Sequence, residues 1–150
     1  MDELDLKIIK ILSENADITA TKIKELINLS IPAINKRIQN LKQSGIIKRF
    51  TVITDGKKIG KPITAYIFVV LQASGFMEPL LEYANADEDI LECSAITGEY
   101  DCLLKVCAEN IEQLDEKLAY LKKHKGIIKS NTMLSLTNYK YSTTILPSIK

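Results

Sequence analysis

The stretch from Ser30 to Phe50 constrains the fold of this chain more than any other part of the sequence. Ser30 is a favourable helix N-cap, because its hydroxyl can accept from an early helical N–H. Pro32 then falls in the first turn, where no N–H is needed, and Gly45 lies where the helix would end. Between these ends the apolar side chains recur at three- and four-residue intervals: Ile31, Ile34, Ile38 and Leu41. This spacing predicts a capped amphipathic helix that buries one stripe.

The opposite face of this helix is predicted to be polar and to carry no acidic side chain. At about 100° per residue it comprises Pro32, Lys36, Gln39, Asn40 and Gln43. Between Glu25 and Asp55 the chain holds five basic residues and no acidic one. An ordinary surface helix with a solvated outer face has a similar pattern. The combination of donors, acceptors and positive charge favours a helix that meets nucleic acid.

Charge is distributed unevenly along the 150 residues, although the net charge is only +1. Residues 1–61 hold 12 Lys and Arg against 7 Asp and Glu, a net charge of +5. Residues 62–150 hold 8 against 12, a net charge of −4. This asymmetry suggests that the first half meets a polyanion and the second half does not.

Two further helices are predicted before the first stretch, with Asp2 and Thr19 as their N-caps. Their apolar stripes are Leu4, Ile8, Ile9, Ile11 and Leu12 in the first helix, and Ile23, Leu26 and Ile27 in the second. Only Asn28 and Leu29 separate the second helix from the third, which is typical of a helix-turn-helix. The segment from Ile46 to Thr54 is rich in β-forming residues and is predicted to be a strand.

The second half is predicted to be a separate α/β unit after a turn-rich, basic linker. Its elements are strands at Ile63–Gln72, Ile90–Thr97, Cys102–Ala108 and Ile127–Tyr139, and helices at Met77–Ala86 and after the cap Asn110, where Ile111, Leu114, Leu118 and Leu121 form the stripe. The order β-α-β-β-α-β is the ferredoxin-like pattern. Two helices cover one face of such a sheet, so we expect a second copy of the chain to cover the other.

The sequence contains no recognisable catalytic or metal-binding constellation. His124 is the only histidine, which excludes a multi-histidine site, and we interpret Cys93, Cys102 and Cys107 as buried free thiols. We therefore expect no metal and no cofactor. The acidic N-terminus does not resemble a signal peptide and no apolar run reaches about 18 residues, so a cytoplasmic protein with no membrane partner is expected.

Four motifs in order resemble those of one family: Asp2-x-x-Asp5, Leu29-Ser30, Arg37-Ile38-x-x-Leu41-x-x-x-Gly45-Ile46-Ile47 and Gly98-Glu99-Tyr100-Asp101. Together they resemble the leucine-responsive regulator (Lrp/AsnC) family of prokaryotic transcription factors. The resemblance implies an α+β fold with a winged helix-turn-helix domain (1–54), a linker (55–62), a ferredoxin-like βαββαβ domain (63–140) and a C-terminal tail (141–150). It also implies double-stranded DNA as partner, and a homodimer that assembles into octamers.

The resemblance assigns DNA contacts to the third helix and the segment after it. Lys36 and Gln39 would read bases, since Lys pairs with guanine and Gln with adenine. Pro32 and Ala33 would meet thymine methyl groups. The remaining expected contacts are Ser30 and Asn40 on the helix, with Arg37, Lys42, Lys48 and Arg49 on phosphates.

For the turn Gly98-Glu99-Tyr100-Asp101 the resemblance implies an amino-acid effector. The backbone of this turn and a carboxylate such as that of Asp101 would bind the effector's ammonium group. The alternative is a plain β-turn in which Asp101 accepts from a local N–H.

Two other functions remain as hypotheses from different classes. One is an enzyme, because some proteins that resemble Lrp regulators decarboxylate modified tetrapyrroles. The isolated His124 among lysines argues against acid–base catalysis of that kind. The other is a stand-alone amino-acid sensor with a degenerate DNA-binding half, which the intact cap, stripe and basic outer face disfavour.

Overall fold

The computed structural model describes residues 1–146 and divides them into two compact units. The N-terminal unit comprises Met1–Ile53 together with the tail from Lys140, and the C-terminal unit is Thr54–Tyr139. The predicted tail therefore lies partly outside the described residues.

Three helices build the N-terminal unit: α1 (Glu3–Glu14), α2 (Ala20–Ile27) and α3 (Ile31–Gln43). Each begins at the cap expected from the sequence, with Asp2, Thr19 and Ser30 accepting from backbone N–H groups three residues on. Asn28 ends α2 in the left-handed conformation with φ of 51°, so that α3 follows directly. The core of this unit is Ile8, Ile9, Leu12, Ile23, Ile34 and Leu41.

Two predictions for this unit were wrong. Leu26 was placed on the buried face of α2 but is 64% exposed, because only Ile23 of that helix reaches the core fully. The segment from Ile46 to Thr54 is not a strand. A strand needs a neighbour to pair with its backbone groups, and this segment pairs with none of the strands in the described residues.

The C-terminal unit is a four-stranded antiparallel sheet with order β2-β3-β1-β4. Its elements are β1 (Ile63–Leu71), a 3-10 turn (Ser74–Phe76), α4 (Met77–Ala86), β2 (Ile90–Ala95), β3 (Cys102–Ala108), α5 (Ile111–His124) and β4 (Ile127–Leu134). This is the ferredoxin-like arrangement predicted. The strands β2 and β4 end earlier than expected, at Ala95 and Leu134.

Both helices of this unit share one core with one face of the sheet. Alternate residues of β1 (Ala65, Ile67, Val69) and β3 (Cys102, Leu104, Val106) are fully buried, and Leu80 of α4 and Leu121 of α5 pack with them. Ile111, predicted in the buried stripe of α5, is 51% exposed because it lies in the first turn, beyond the core. The other face of the sheet carries Tyr66, Phe68 and Leu103, which no helix of this unit covers completely.

Candidate nucleic-acid interface and effector turn

The third helix is held by its apolar stripe and presents a polar outer face. Ile34 and Leu41 are buried in the core, while Ser30 Oγ accepts from the N–H of Ala33 at 3.3 Å. The exposed residues of the helix include the predicted set Pro32, Lys36, Gln39, Asn40 and Gln43, while Ala33 is half-buried. Asn35 is also exposed and was missed, although its position about 100° from Ile34 places it beside Gln39.

The polar side chains of this outer face have no partner among the described residues. Among the described residues, the side chains of Lys36, Gln39 and Asn40 make no hydrogen bond or ion pair. Their donors and acceptors are therefore available to a ligand, and none of them must first be released from an intramolecular contact.

Arg37 has a role that sequence reasoning did not find. Its Nη1 lies 2.8 Å from Asp2 Oδ2 and 2.7 Å from Asp5 Oδ1, so it joins α3 to the N-terminus of α1. The same two acids form a capping box, in which each side chain accepts from the other's backbone N–H. Hydrogen bonds that Arg37 donates to Asp5 and to Asp2 raise the pKa of Arg37. The pKa of Asp2 is lowered first by the hydrogen bond from the Asp5 N–H and then by Arg37. The expected phosphate contact thus competes with an internal brace.

Three more basic residues lie after or near the end of α3. Lys42 is exposed and its Nζ lies 5.2 Å from the centre of the Phe50 ring. Lys48 and Arg49 are exposed in the irregular segment that follows. No hydrogen bond or ion pair holds these three cations within residues 1–146, so they remain available for phosphates.

The predicted effector turn connects β2 and β3. Gly98 has φ of +116°, a conformation that L side chains rarely adopt, which explains the glycine. The carboxylate of Asp101 accepts from the N–H of Leu71 at 2.8 Å, and the Asp101 N–H donates to Val69 at 2.9 Å. Asp101 therefore ties the turn to β1 at its bulge, through an N–H that lies 30 positions away in sequence and not within the turn itself.

Glu99 and Tyr100 differ from Asp101 in their surroundings. Glu99 is exposed, and its carboxylate has no hydrogen-bond partner in the part of the chain that the structure describes. The Tyr100 ring lies 5.5 Å from that of Phe68, and Lys129 Nζ is 5.1 Å from its centre. The turn thus offers one unengaged carboxylate next to an aromatic and a cationic group.

A second group of charges lies where α4 meets β2, outside every predicted site. Lys61 and Lys117 form ion pairs with the partly buried carboxylates of Asp89 and Asp87 respectively. Burial opposes ionisation of Asp87, but hydrogen bonds from Lys117 and the Asp89 N–H outweigh it and lower its pKa. Lys117 also lies 3.6 Å from Asp89, so the two lysines and two carboxylates are linked, and we interpret this group as a stabilising network.

Within residues 1–146 no cluster of three or more His, Cys, Asp or Glu side chains could hold a metal ion. Nor is any helix there long and apolar enough to cross a membrane.

Comparisons with known proteins identify both units. Residues 1–48 match the family model for winged helix-turn-helix DNA-binding, and residues 64–145 match the Lrp/AsnC ligand binding domain. The HTH-type transcriptional regulator FL11 of Pyrococcus horikoshii is 35% identical over 147 residues, which cover 98% of this chain and 96% of the relative. The chain belongs to the Lrp/AsnC family of transcription regulators.

Other members are similar at lower identity. The regulatory protein AsnC of Haemophilus influenzae is 28% identical over 92% of this chain and 93% of its own. The fold matches that of a transcriptional regulator from Neisseria meningitidis in complex with L-Met, with a TM-score of 0.91, 24% identity and coverage of 97% and 96%. It also matches E. coli AsnC, with a TM-score of 0.87, 24% identity and coverage of 98% and 99%. This regulator is therefore a DNA-binding protein with a winged helix-turn-helix unit and a ferredoxin-like unit.

Proposed function

We propose that this Lrp/AsnC regulator recognises its operator with the outer face of α3 in the major groove. Lys36 and Gln39 would contact base edges, with Asn40 beside them, and Pro32 and Ala33 would approach thymine methyl groups. The observation that carries this proposal is that the side chains of Lys36, Gln39 and Asn40 are exposed and unpaired on one helix face.

Phosphate contacts are assigned to the cations that no acid holds. Lys42 lies at the C-terminal end of α3, and Lys48 and Arg49 follow in the irregular segment after it. The N-terminus of α3 after the Ser30 cap would add backbone N–H groups aimed at a phosphate. Arg37 is assigned instead to bracing α3 against α1, through Asp2 and Asp5.

We propose that an amino acid acts as the effector at the turn Gly98–Asp101, and that no other cofactor takes part. The L-Met complex of the Neisseria relative and the match to a ligand binding domain support this assignment. Because the carboxylate of Asp101 already accepts a hydrogen bond from the Leu71 N–H, we assign the ammonium group of the effector to the exposed carboxylate of Glu99. Tyr100 would lie against the effector's side chain.

A homodimer is proposed to form through the open face of the sheet, with dimers assembling into an octamer. Tyr66, Phe68 and Leu103 lie on this face, and Met133 beside them is 52% exposed. Burying such a patch against a second copy is favourable. A regulator of this kind would act in the cytoplasm and would need no catalytic group.

Two substitutions with a matched control test the groove assignment. Lys36→Ala and Gln39→Ala should each weaken binding to the DNA upstream of the regulator's own gene by about 5- to 100-fold, as expected for loss of a base contact. They should weaken binding to unrelated DNA much less. Lys10→Ala removes an exposed lysine of α1 and should change neither the affinity for the upstream DNA nor the affinity for unrelated DNA. Equal losses on both DNAs for Lys36→Ala would contradict a base-reading role.

A further inference from the structure

Two of the three cysteines lie side by side in the hairpin that carries the effector turn. Cys93 Sγ and Cys102 Sγ are 3.5 Å apart on strands β2 and β3. They occupy diagonal positions of the ladder, because Cys93 is opposite Leu104 and Cys102 is opposite Ala95. A disulfide has an S–S distance of about 2.05 Å, so the sulfur atoms need to approach by about 1.5 Å. Diagonal neighbours in an antiparallel ladder are about 7–8 Å apart at Cα, wider than most disulfides, so closure requires the edge strand β2 to move toward β3 as well as rotation of the side chains.

We propose that Cys93 and Cys102 form a reversible redox site, at which a hydroperoxide converts the two thiols into a disulfide. The two cysteines differ in access. Cys102 is completely buried in the core, whereas Cys93 is partly exposed on β2, which is an edge strand of the sheet. Cys93 is therefore the thiol that meets the oxidant, and Cys102 is the thiol that resolves the product.

Oxidation of the two thiols to a disulfide takes place in two steps. The sulfur of Cys93 takes one oxygen from the hydroperoxide, so that the O–O bond breaks, an alcohol leaves and Cys93 becomes a sulfenic acid. The sulfur of Cys102 then attacks the Cys93 sulfur, the S–O bond breaks, and the hydroxyl leaves as water with the proton of Cys102. Burial and the neighbouring Cys93 raise the pKa of Cys102 to about 12, so this second step depends on proximity rather than on a populated thiolate.

Because of its position, a disulfide between Cys93 and Cys102 would restrict the turn Gly98–Asp101. Cys93 and Cys102 bracket residues 94–101, which include the whole turn Gly98–Asp101. Cys102 also directly follows Asp101, whose carboxylate and N–H both bind β1. A covalent link at this place would fix the base of the turn and restrict its opening. The regulatory part of this inference rests on the proposed effector role of the turn, whereas the redox site itself does not.

The first test needs neither DNA nor an amino acid. The full chain is treated with hydrogen peroxide, remaining thiols are alkylated under denaturing conditions, and peptides are mapped without reduction. We expect one intramolecular Cys93–Cys102 disulfide that a dithiol reverses. Cys107→Ser should retain it, because that thiol lies against Asp89 instead. Cys93→Ser should abolish it, and this variant is preferred because Cys93 is at the edge of the core. A sulfinic acid at Cys93 with Cys102 still open to alkylation would overturn the proposal.

The second test measures the turn itself by amide hydrogen exchange. Oxidation should slow exchange of residues 96–101 by about tenfold or more, since opening of the hairpin becomes more costly. The same treatment of Cys93→Ser should leave their exchange unchanged. Unchanged exchange in an oxidised wild-type protein would overturn the coupling of the disulfide to the turn. If the reduced protein responds to none of the twenty amino acids while the disulfide forms as expected, the effector proposal fails and the redox site stands.

Discussion

Arg37 and Asp5 form an ion pair of 2.7 Å that links α3 to the N-terminus of α1. The two residues are 32 positions apart in sequence, and Asp2 joins the same guanidinium at 2.8 Å. The side chain of Asp5 is only 16% exposed. The arrangement fixes the direction in which α3 presents its outer face, because α1 and α3 share the core through Ile8 and Ile34 as well.

Substitution of Asp5 shows whether Arg37 braces α3 or contacts a phosphate, because the two roles predict opposite changes in operator affinity. If Arg37 braces α3, Asp5→Asn should weaken operator binding several-fold and lower the melting temperature. If Arg37 instead binds phosphate, the same change would free the guanidinium, remove an acid near DNA and tighten binding. Asp17→Asn serves as control, because Asp17 is exposed and its carboxylate pairs with no cation among residues 1–146. Operator titrations at fixed salt, with thermal melts, decide between them.

The contribution of the Asp2 cap to the stability of the folded state should depend on pH. The pKa of Asp2 is lowered from 3.8 by the Asp5 N–H and by Arg37, so its ionised form stabilises the folded state. This contribution is fully present above about pH 4, and it disappears as the pH falls through the lowered folded-state pKa. Asp2→Asn should therefore lower the melting temperature at pH 6 more than at pH 2.5. A difference between variant and wild type that is the same at both pH values would contradict this role.

Lys48 and Arg49 should contribute to affinity without contributing to sequence preference. Both are exposed cations in the segment after α3, and each lost phosphate contact lowers the salt slope of binding by about 0.9. The double variant Lys48→Ala/Arg49→Ala should thus reduce the slope by about 1.8 per DNA-bound unit, with equal losses on operator and unrelated DNA. An unchanged salt slope would contradict phosphate contacts by Lys48 and Arg49.

Asp101 should matter for folding whether or not an effector binds. Its carboxylate is the acceptor for the N–H of Leu71, a residue that is 8% exposed. Asp101→Ala leaves that N–H without a partner, which should cost about 1–3 kcal/mol in urea unfolding. Asp101→Asn keeps an acceptor and should cost less. Glu99→Gln is the matched control in the same turn, and we expect it to unfold like the wild type while losing any response to an amino acid.

Local patterns predicted the ends of the helices well, because a cap depends on residues only three positions away. Ser30, Asp2 and Asn110 all act as expected. Helical spacing was less reliable at the ends of a stripe, since Leu26 and Ile111 lie on the correct face but beyond the reach of the core. The fold of the second unit also followed from the βαββαβ pattern, because few topologies bury such a sheet.

Contacts between distant residues could not be read from the sequence. Nothing near Arg37 in the chain indicates that Asp2 and Asp5 will hold it, and its expected phosphate contact came from the family resemblance and from its charge. Asp101 likewise was compatible with an effector contact until its distance to Leu71 was known. The segment from Ile46 to Thr54 has the composition of a strand, but composition does not supply a pairing partner.

The most direct test of the regulator's proposed function is binding of the purified chain to the DNA upstream of its own gene. It would be measured across a salt series, with and without each of the twenty amino acids. We expect tight binding with a steep negative salt slope, and an affinity that one amino acid changes by about 5- to 150-fold. Binding that no amino acid alters would contradict the effector role of the turn Gly98–Asp101. Absence of binding even at low salt would contradict the assignment of the α3 outer face to DNA.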